Sequence, residues 1–116
     1  MVPTRQLLRQ IAPDVCVAPQ LTPDAMADLA ALGFKSVVNN RPDFEEGPDQ
    51  PTSAQVEAAA QAAGLAYAYL PVQPAYHSPA EIARMAELVA ALPRPMVAFC
   101  RSGNRSGKLY LAAVSR

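Results

Sequence analysis

With 116 residues and a mass of 12.3 kDa, the chain has room for one domain spanning residues 1–116. Hydrophobic residues make up 51% and charged residues 17%, enough apolar material for a core and too much for wholesale disorder. A formal net charge of +0 excludes a general nucleic-acid binder, and Pro, Gly or charge interrupts every apolar stretch before it could cross a membrane. The N-terminus MVPTRQLLRQIAPD lacks the apolar core and cleavage site of a signal peptide, so a cytoplasmic protein is expected. Two cysteines and one histidine are too few for a disulfide scaffold or the usual structural zinc sites, and no metal or cofactor is expected. Trp is absent, so the core must be built from Ala, Val, Leu and Ile.

Twelve prolines punctuate the chain. Val15 to Ala18 reads as a first short strand with Cys16 inside it, placed there for core packing, or as a resolving thiol if it meets the second cysteine. Thr22-Pro23-Asp24 predicts an N-cap, a first-turn proline and an acid near the positive helix end, followed by Met26, Leu29 and Ala30 on one face and a stop at Gly33. Lys35 to Asn39 is a second strand, ended by Arg41-Pro42-Asp43. A polar loop then holds Asp43, Glu45, Glu46 and Asp49. Thr52 or Ser53 opens an alanine-rich helix whose small face is Val56, Ala59, Ala60 and Ala63, closed by Gly64. Ala66 to Val72 is a third strand. Alternation puts Tyr67 and Tyr69 on one face, with core packing expected and a pocket rim, shared with Tyr76, as the alternative. Ser78-Pro79-Ala80-Glu81 is a capping box, followed by Ile82, Met85, Val89 and Leu92 at helical spacing, with Arg84 and Glu87 outward. Met96 to Phe99 is a buried strand, and the last helix runs through Leu109, Ala112 and Ala113. Strands alternating with helices predict a single α/β domain with a mainly parallel sheet of about four strands flanked by helices. Ligands of such sheets bind beyond the carboxyl ends of the strands.

Between the last strand and the last helix lies Cys100-Arg101-Ser102-Gly103-Asn104-Arg105-Ser106. Such a loop aims several amide N–H groups inward, and the helix N-terminus adds partial positive charge. Gly103 allows the backbone angles that let amides converge. Arg101 and Arg105 add fixed charge, and residues 101–116, with Lys108 and Arg116, contain no acid. Cys100 in this setting is expected to be a thiolate near neutral pH beside a bound anion, with the amides of Arg101 to Arg105 as its cradle. Ser106 caps the last helix, hydrogen-bonds the thiolate, or does both.

CRSGNRS resembles the active-site loop of rhodanese-type sulfurtransferases and is similar to the cysteine-phosphatase signature His-Cys-x-x-x-x-x-Arg-Ser. Taken with GFKSVVNNRPDFE, GLAYAYLPV and PMVAF, in that order, it resembles the phosphatase-like domain of the beta-lactamase-hydrolase-like proteins, over about Leu8 to Val114. The resemblance implies a fold like that of dual-specificity phosphatases, with a cysteine-phosphatase-like loop between last strand and last helix. It also implies sulfide or persulfide metabolism, since members occur alone or fused to a sulfur dioxygenase of metallo-β-lactamase fold, which makes such a dioxygenase an expected partner.

The departures from the phosphatase pattern bear on the chemistry. The arginine stands one place nearer the cysteine, at Arg105, and Ser106 takes the signature arginine's place; Phe99 replaces the histidine. The loop Pro71 to His77 holds no carboxylate to protonate a leaving oxygen, leaving His77, or Asp43 or Glu45 from another loop, as candidates. Sulfur transfer needs no strong acid, because sulfite or a thiolate leaves as a stable anion. The expectation is therefore a sulfurtransferase. Cys100 carries a persulfide, and Arg101 and Arg105, with Ser102, Gly103, Asn104 and Ser106, bind a small anionic donor such as thiosulfate or glutathione persulfide. The alternative is a cysteine-dependent phosphatase working through a phosphocysteine, and a third reading is a non-catalytic persulfide or redox sensor. Arg41, at the same sheet edge, is expected to salt-bridge a neighbouring acid, with anion binding as the alternative. Asp43 is either a turn residue, an ion-pair partner or an acid. No nucleic-acid or membrane partner is expected.

Overall fold

The computed structural model describes residues 2–115; Arg116, counted above among the basic residues, lies outside them. A short helix α1 (Thr4–Leu7) leads into strands β1 (Arg9–Ala12) and β2 (Val15–Ala18). Helix α2 (Ala25–Ala31), strand β3 (Ser36–Asn39), helix α3 (Ser53–Ala62) and strand β4 (Ala66–Tyr69) follow, then helix α4 (Pro79–Ala91), strand β5 (Met96–Phe99) and helix α5 (Asn104–Val114).

The sheet has five strands in the order β1-β2-β5-β3-β4, one more than the sequence predicts. β2, β5, β3 and β4 are parallel, and β1 adds an antiparallel edge to β2, so the sheet is mixed. The extra strand, RQIA, carries no apolar run. Arg9 and Gln10 are exposed, and what makes the segment a strand is its backbone pairing to β2, which periodicity does not register. β4 ends at Tyr69, three residues short of the predicted Val72.

Helices cover both faces. On one, Met26 and Leu29 of α2 and Val56 and Ala60 of α3 pack with Val37, Val97 and Phe99. On the other, Met85 and Leu88 of α4 and Leu109 and Ala113 of α5 pack with Val15, Val38, Met96 and Ala98. The alternation along β3 and β5 produces this division, since successive side chains point to opposite faces. Central β5 is wholly buried, as its unbroken apolar run requires.

The predicted helix starts at Thr52 and Ser78 are present as reciprocal capping boxes with Gln55 and Glu81. At Thr22 the outcome differs. The Thr22 carbonyl accepts from the Ala25 amide at 3.0 Å, the helix begins only at Ala25, and no side chain caps it. Cys16 is part-buried against the α2/α3 core, burial pushes its thiol up, and it is free, as is Cys100. Among the described residues no helix is long and apolar enough to cross a membrane, and no cluster of His, Cys, Asp or Glu could hold a metal ion.

Candidate active site

All four parallel strands end on the same edge of the sheet, and a residue from the loop after each one reaches the same place: Gln20, Arg41, Val72 and the Cys100–Ser106 loop. Parallel topology gathers groups distant in sequence at one rim.

Cys100 immediately follows β5, its amide donating to the Ala18 carbonyl at 3.2 Å, and its side chain is buried. The chain turns at Gly103, whose φ of 94° is left-handed, and α5 begins at Asn104. A Cβ at Gly103 would sit in van der Waals contact with the Ala18 carbonyl, 3.4 Å away, so it is the backbone angle that favours glycine. This turn aims the Gly103 amide at the Cys100 Sγ, 3.0 Å away. Burial alone would raise the thiol. The Ser106 amide, the Ser106 hydroxyl and the amides of Ser102 and Gly103 outweigh it and hold Cys100 below the ordinary thiol range. The donors thus extend to Ser106 and, among Arg101 to Arg105, come from Ser102 and Gly103. Ser106 is shared, since its Oγ also donates to Asn40 Oδ1 at 2.8 Å, a hydrogen bond that ties the loop to the residue after β3. Asn104 instead faces outward and accepts from Arg9 at 3.4 Å.

The two loop arginines part company. Arg101 is exposed and pairs with Glu46 at 3.0 Å. Arg105 is buried, 6% exposed. It donates to the Val72 carbonyl at 3.2 Å and to both Glu45 oxygens, at 3.0 and 3.2 Å, while its Nε has no partner. Glu45 is the acid that the sequence leaves open, and the structure brings it to the cradle arginine. One Glu45 oxygen also accepts from Arg41 Nε at 2.9 Å. Burial would raise this carboxyl, but hydrogen bonds and charge from Arg105 and Arg41 hold it below the usual range. The backbone helps to deliver it: Phe44 has a positive φ of 62°, rare for a bulky residue.

Asp43 is placed differently. Its Oδ1 accepts from the Ser53 amide at 2.7 Å and its amide donates to the Tyr69 hydroxyl at 2.8 Å, so it ties the loop to α3 and β4. Arg41 makes the expected salt bridge to a neighbouring acid. His77 is part-buried, with Nε2 unpartnered. Tyr69 and Tyr76 are exposed, contrary to the core placement expected of Tyr69, because β4 lies at the sheet edge. Tyr67 is half-buried and bonds Asn39 and Ser53 through its hydroxyl. The reach of Glu45 and Glu46 to the arginines has a sequence signal only in the opposite charges of the two loops.

A family model described as "Beta-lactamase hydrolase-like protein, phosphatase-like domain" matches residues 7–115. A beta-lactamase hydrolase-like protein of Agrobacterium fabrum is 41% identical over 83 residues, covering 72% of this chain and 19% of that protein. The chain therefore spans about a fifth of that relative's length. Among solved structures, a candidate phosphatase from Neisseria meningitidis superposes with a TM-score of 0.80 at 28% identity, covering 90% of this chain and 72% of the other. P. aeruginosa TpbA, solved as a cysteine-to-serine variant with phosphotyrosine, shares the fold at a TM-score of 0.64 and 19% identity, covering 94% of this chain and 62% of the other.

Proposed function

The chain belongs to the family of the phosphatase-like domain of beta-lactamase hydrolase-like proteins, and from that premise we propose that it is a cysteine-dependent hydrolase of phosphate monoesters with Cys100 as nucleophile. The observation that carries this reading is a buried thiol held toward its ionised form by loop amides, in the same loop as a buried arginine, Arg105, whose Nε is left without a partner. The likeness to phosphatase structures supports it, although a fold by itself does not decide chemistry.

In this reading the Cys100 thiolate attacks phosphorus and forms an S–P bond as the P–O bond to the leaving group breaks. The electron pair departs with that oxygen. Loop amides and Arg105 Nε stabilise the equatorial oxygens. Water then attacks phosphorus, releasing phosphate and restoring the thiolate. Glu45 is the acid nearest the cradle arginine, but as a carboxylate held by two guanidinium groups it has no proton to give. Aryl phosphates, whose phenolate leaves without strong acid assistance, are therefore the preferred substrates.

The same lack of a proton on Glu45 favours a second reading, sulfur transfer. The six-residue cradle from Cys100 to Arg105 suits it, Glu45 is held as a carboxylate, and Asp43 is engaged with the Ser53 amide. Here the thiolate attacks the outer sulfur of thiosulfate, a new S–S bond forms as the old one breaks, and sulfite leaves with the electron pair. A thiol acceptor then removes the outer sulfur from Cys100.

One experiment separates them. Wild type and Cys100→Ser are incubated with an aryl phosphate or with thiosulfate plus a thiol, turnover is followed, and Cys100 is examined by mass spectrometry. Aryl phosphate turnover with a trapped phosphoryl group on Cys100 is the expected outcome. An added sulfur atom with sulfite release, and no phosphate release, would replace it with sulfur transfer. Turnover that survives Cys100→Ser would remove both.

A further inference from the structure

We propose that Arg41 and Arg101 form a second anion subsite beside the Cys100 cradle, so that the preferred substrate carries a second phosphate or carboxylate next to the group that Cys100 attacks. The inference deepens the cysteine-enzyme reading above and rests on it for the word substrate.

Arg41 leaves the end of β3 with its side chain only 4% exposed. Its Nε donates to Glu45 at 2.9 Å and its Nη1 to Gln20 Oε1 at 3.0 Å. Its Nη2 is buried with no hydrogen bond, and Glu46 Oε1 lies 3.5 Å from it. A buried guanidinium with an idle donor is costly, and one retained only for folding should be fully partnered. Its position ties it to the cradle. The Glu45 oxygen it binds also accepts from Arg105 Nη2 at 3.2 Å, so Arg41 and the cradle arginine are close enough to share one atom.

Arg101 completes the subsite from the outer side. Its Nε pairs with the same Glu46 oxygen that faces Arg41 Nη2. One carboxylate oxygen of the chain thus already sits between Arg41 and Arg101, where a substrate's second anion would lie. Glu46 is half-exposed and on a loop, so it can be displaced without unfolding anything. Three guanidinium groups face two carboxylates here, so with Glu46 displaced they outnumber the anions left, Glu45 and the Cys100 thiolate. Guanidinium is suited to this task because its planar fork matches phosphate and carboxylate oxygens.

The test is equilibrium binding of orthophosphate and pyrophosphate, measured by calorimetry on wild type, Arg41→Gln and Glu46→Gln. Wild type should bind pyrophosphate about tenfold more tightly than orthophosphate. Glu46→Gln, which removes the internal competitor, should widen that ratio, and Arg41→Gln should collapse it toward equality. A ratio identical in all three proteins overturns the proposal. If Arg41→Gln does not fold, Glu46→Gln decides alone, since its residue is half-exposed and an unchanged ratio there is refuting. Binding needs no turnover, so an intact ratio in a protein inactive on phosphate esters and on thiosulfate would defeat the enzyme reading and leave the subsite standing.

Discussion

Glu45 is the charge on which two buried cations depend, and Glu45→Ala should be among the most damaging single changes outside the core. Arg105 and Arg41 are 6% and 4% exposed at the side chain, while Glu45 is 23% exposed and bonded to both. Removing one partner of a buried pair costs about 3–5 kcal/mol, because the other charge stays buried and uncompensated. Water reaches part of Glu45, and Gln20 and the Val72 carbonyl still accept from the arginines, so ~2–3 kcal/mol at neutral pH is the expected loss. The sign of the pH dependence follows from the lowered carboxyl. Its contribution is complete above the unfolded value, ~4.3 for glutamate, and is lost as pH falls through the lower folded value. The gap between wild type and variant should therefore be widest near neutrality and close on acidification. Urea unfolding followed by far-ultraviolet circular dichroism measures it; with a slope of roughly 1–3 kcal/mol per molar, the midpoint should fall by about 1 M or more. A loss under ~0.5 kcal/mol at neutral pH, or a gap that persists in acid, would refute the reasoning.

Ser106→Ala removes a hydroxyl that favours the Cys100 thiolate, so the acid limb of the rate–pH profile should move to higher pH with the maximum rate less affected. Gly103→Ala forces a side chain into a left-handed position against the Ala18 backbone, with a cost of about 1–2 kcal/mol by thermal unfolding and slower modification of Cys100. Tyr67→Phe leaves Asn39 Nδ2 and Ser53 Oγ without a shared partner and should destabilise by ~1 kcal/mol in the same urea assay, with no change in activity at Cys100.

How far the sequence could be read depended on the range of the forces involved. β5 and both capping boxes are local events. A continuous apolar run from Met96 to Phe99 and the pairs Thr52/Gln55 and Ser78/Glu81 lie within a few residues of one another, and they appear where they are expected. The turn at Gly103 and the thiolate cradle are local in the same way. β1 was not legible, because Arg9 to Ala12 becomes a strand only by pairing with β2. Glu45 could be named as an acid but not located: 60 residues separate it from Arg105, and the left-handed Phe44 that helps to present it has no glycine to announce it. Tyr69 shows the converse. Its alternation was right, but its face lies on an edge strand, and exposure there depends on strand order. The chemistry itself divided along the same line, since the cradle spacing speaks for sulfur transfer while the whole fold resembles phosphatases.

The most direct test of the account is the ionisation of Cys100, read from thiolate ultraviolet absorbance as the difference between wild type and Cys100→Ser, with Cys16→Ser giving the second thiol in the same way. Absorbance needs no reagent to reach a buried sulfur. Cys100 should ionise below the ordinary thiol value of ~8.5, and Cys16, raised by burial, above it. A Cys100 that keeps its proton as long as Cys16 does would contradict the claim that loop amides and the Ser106 hydroxyl prepare a nucleophile.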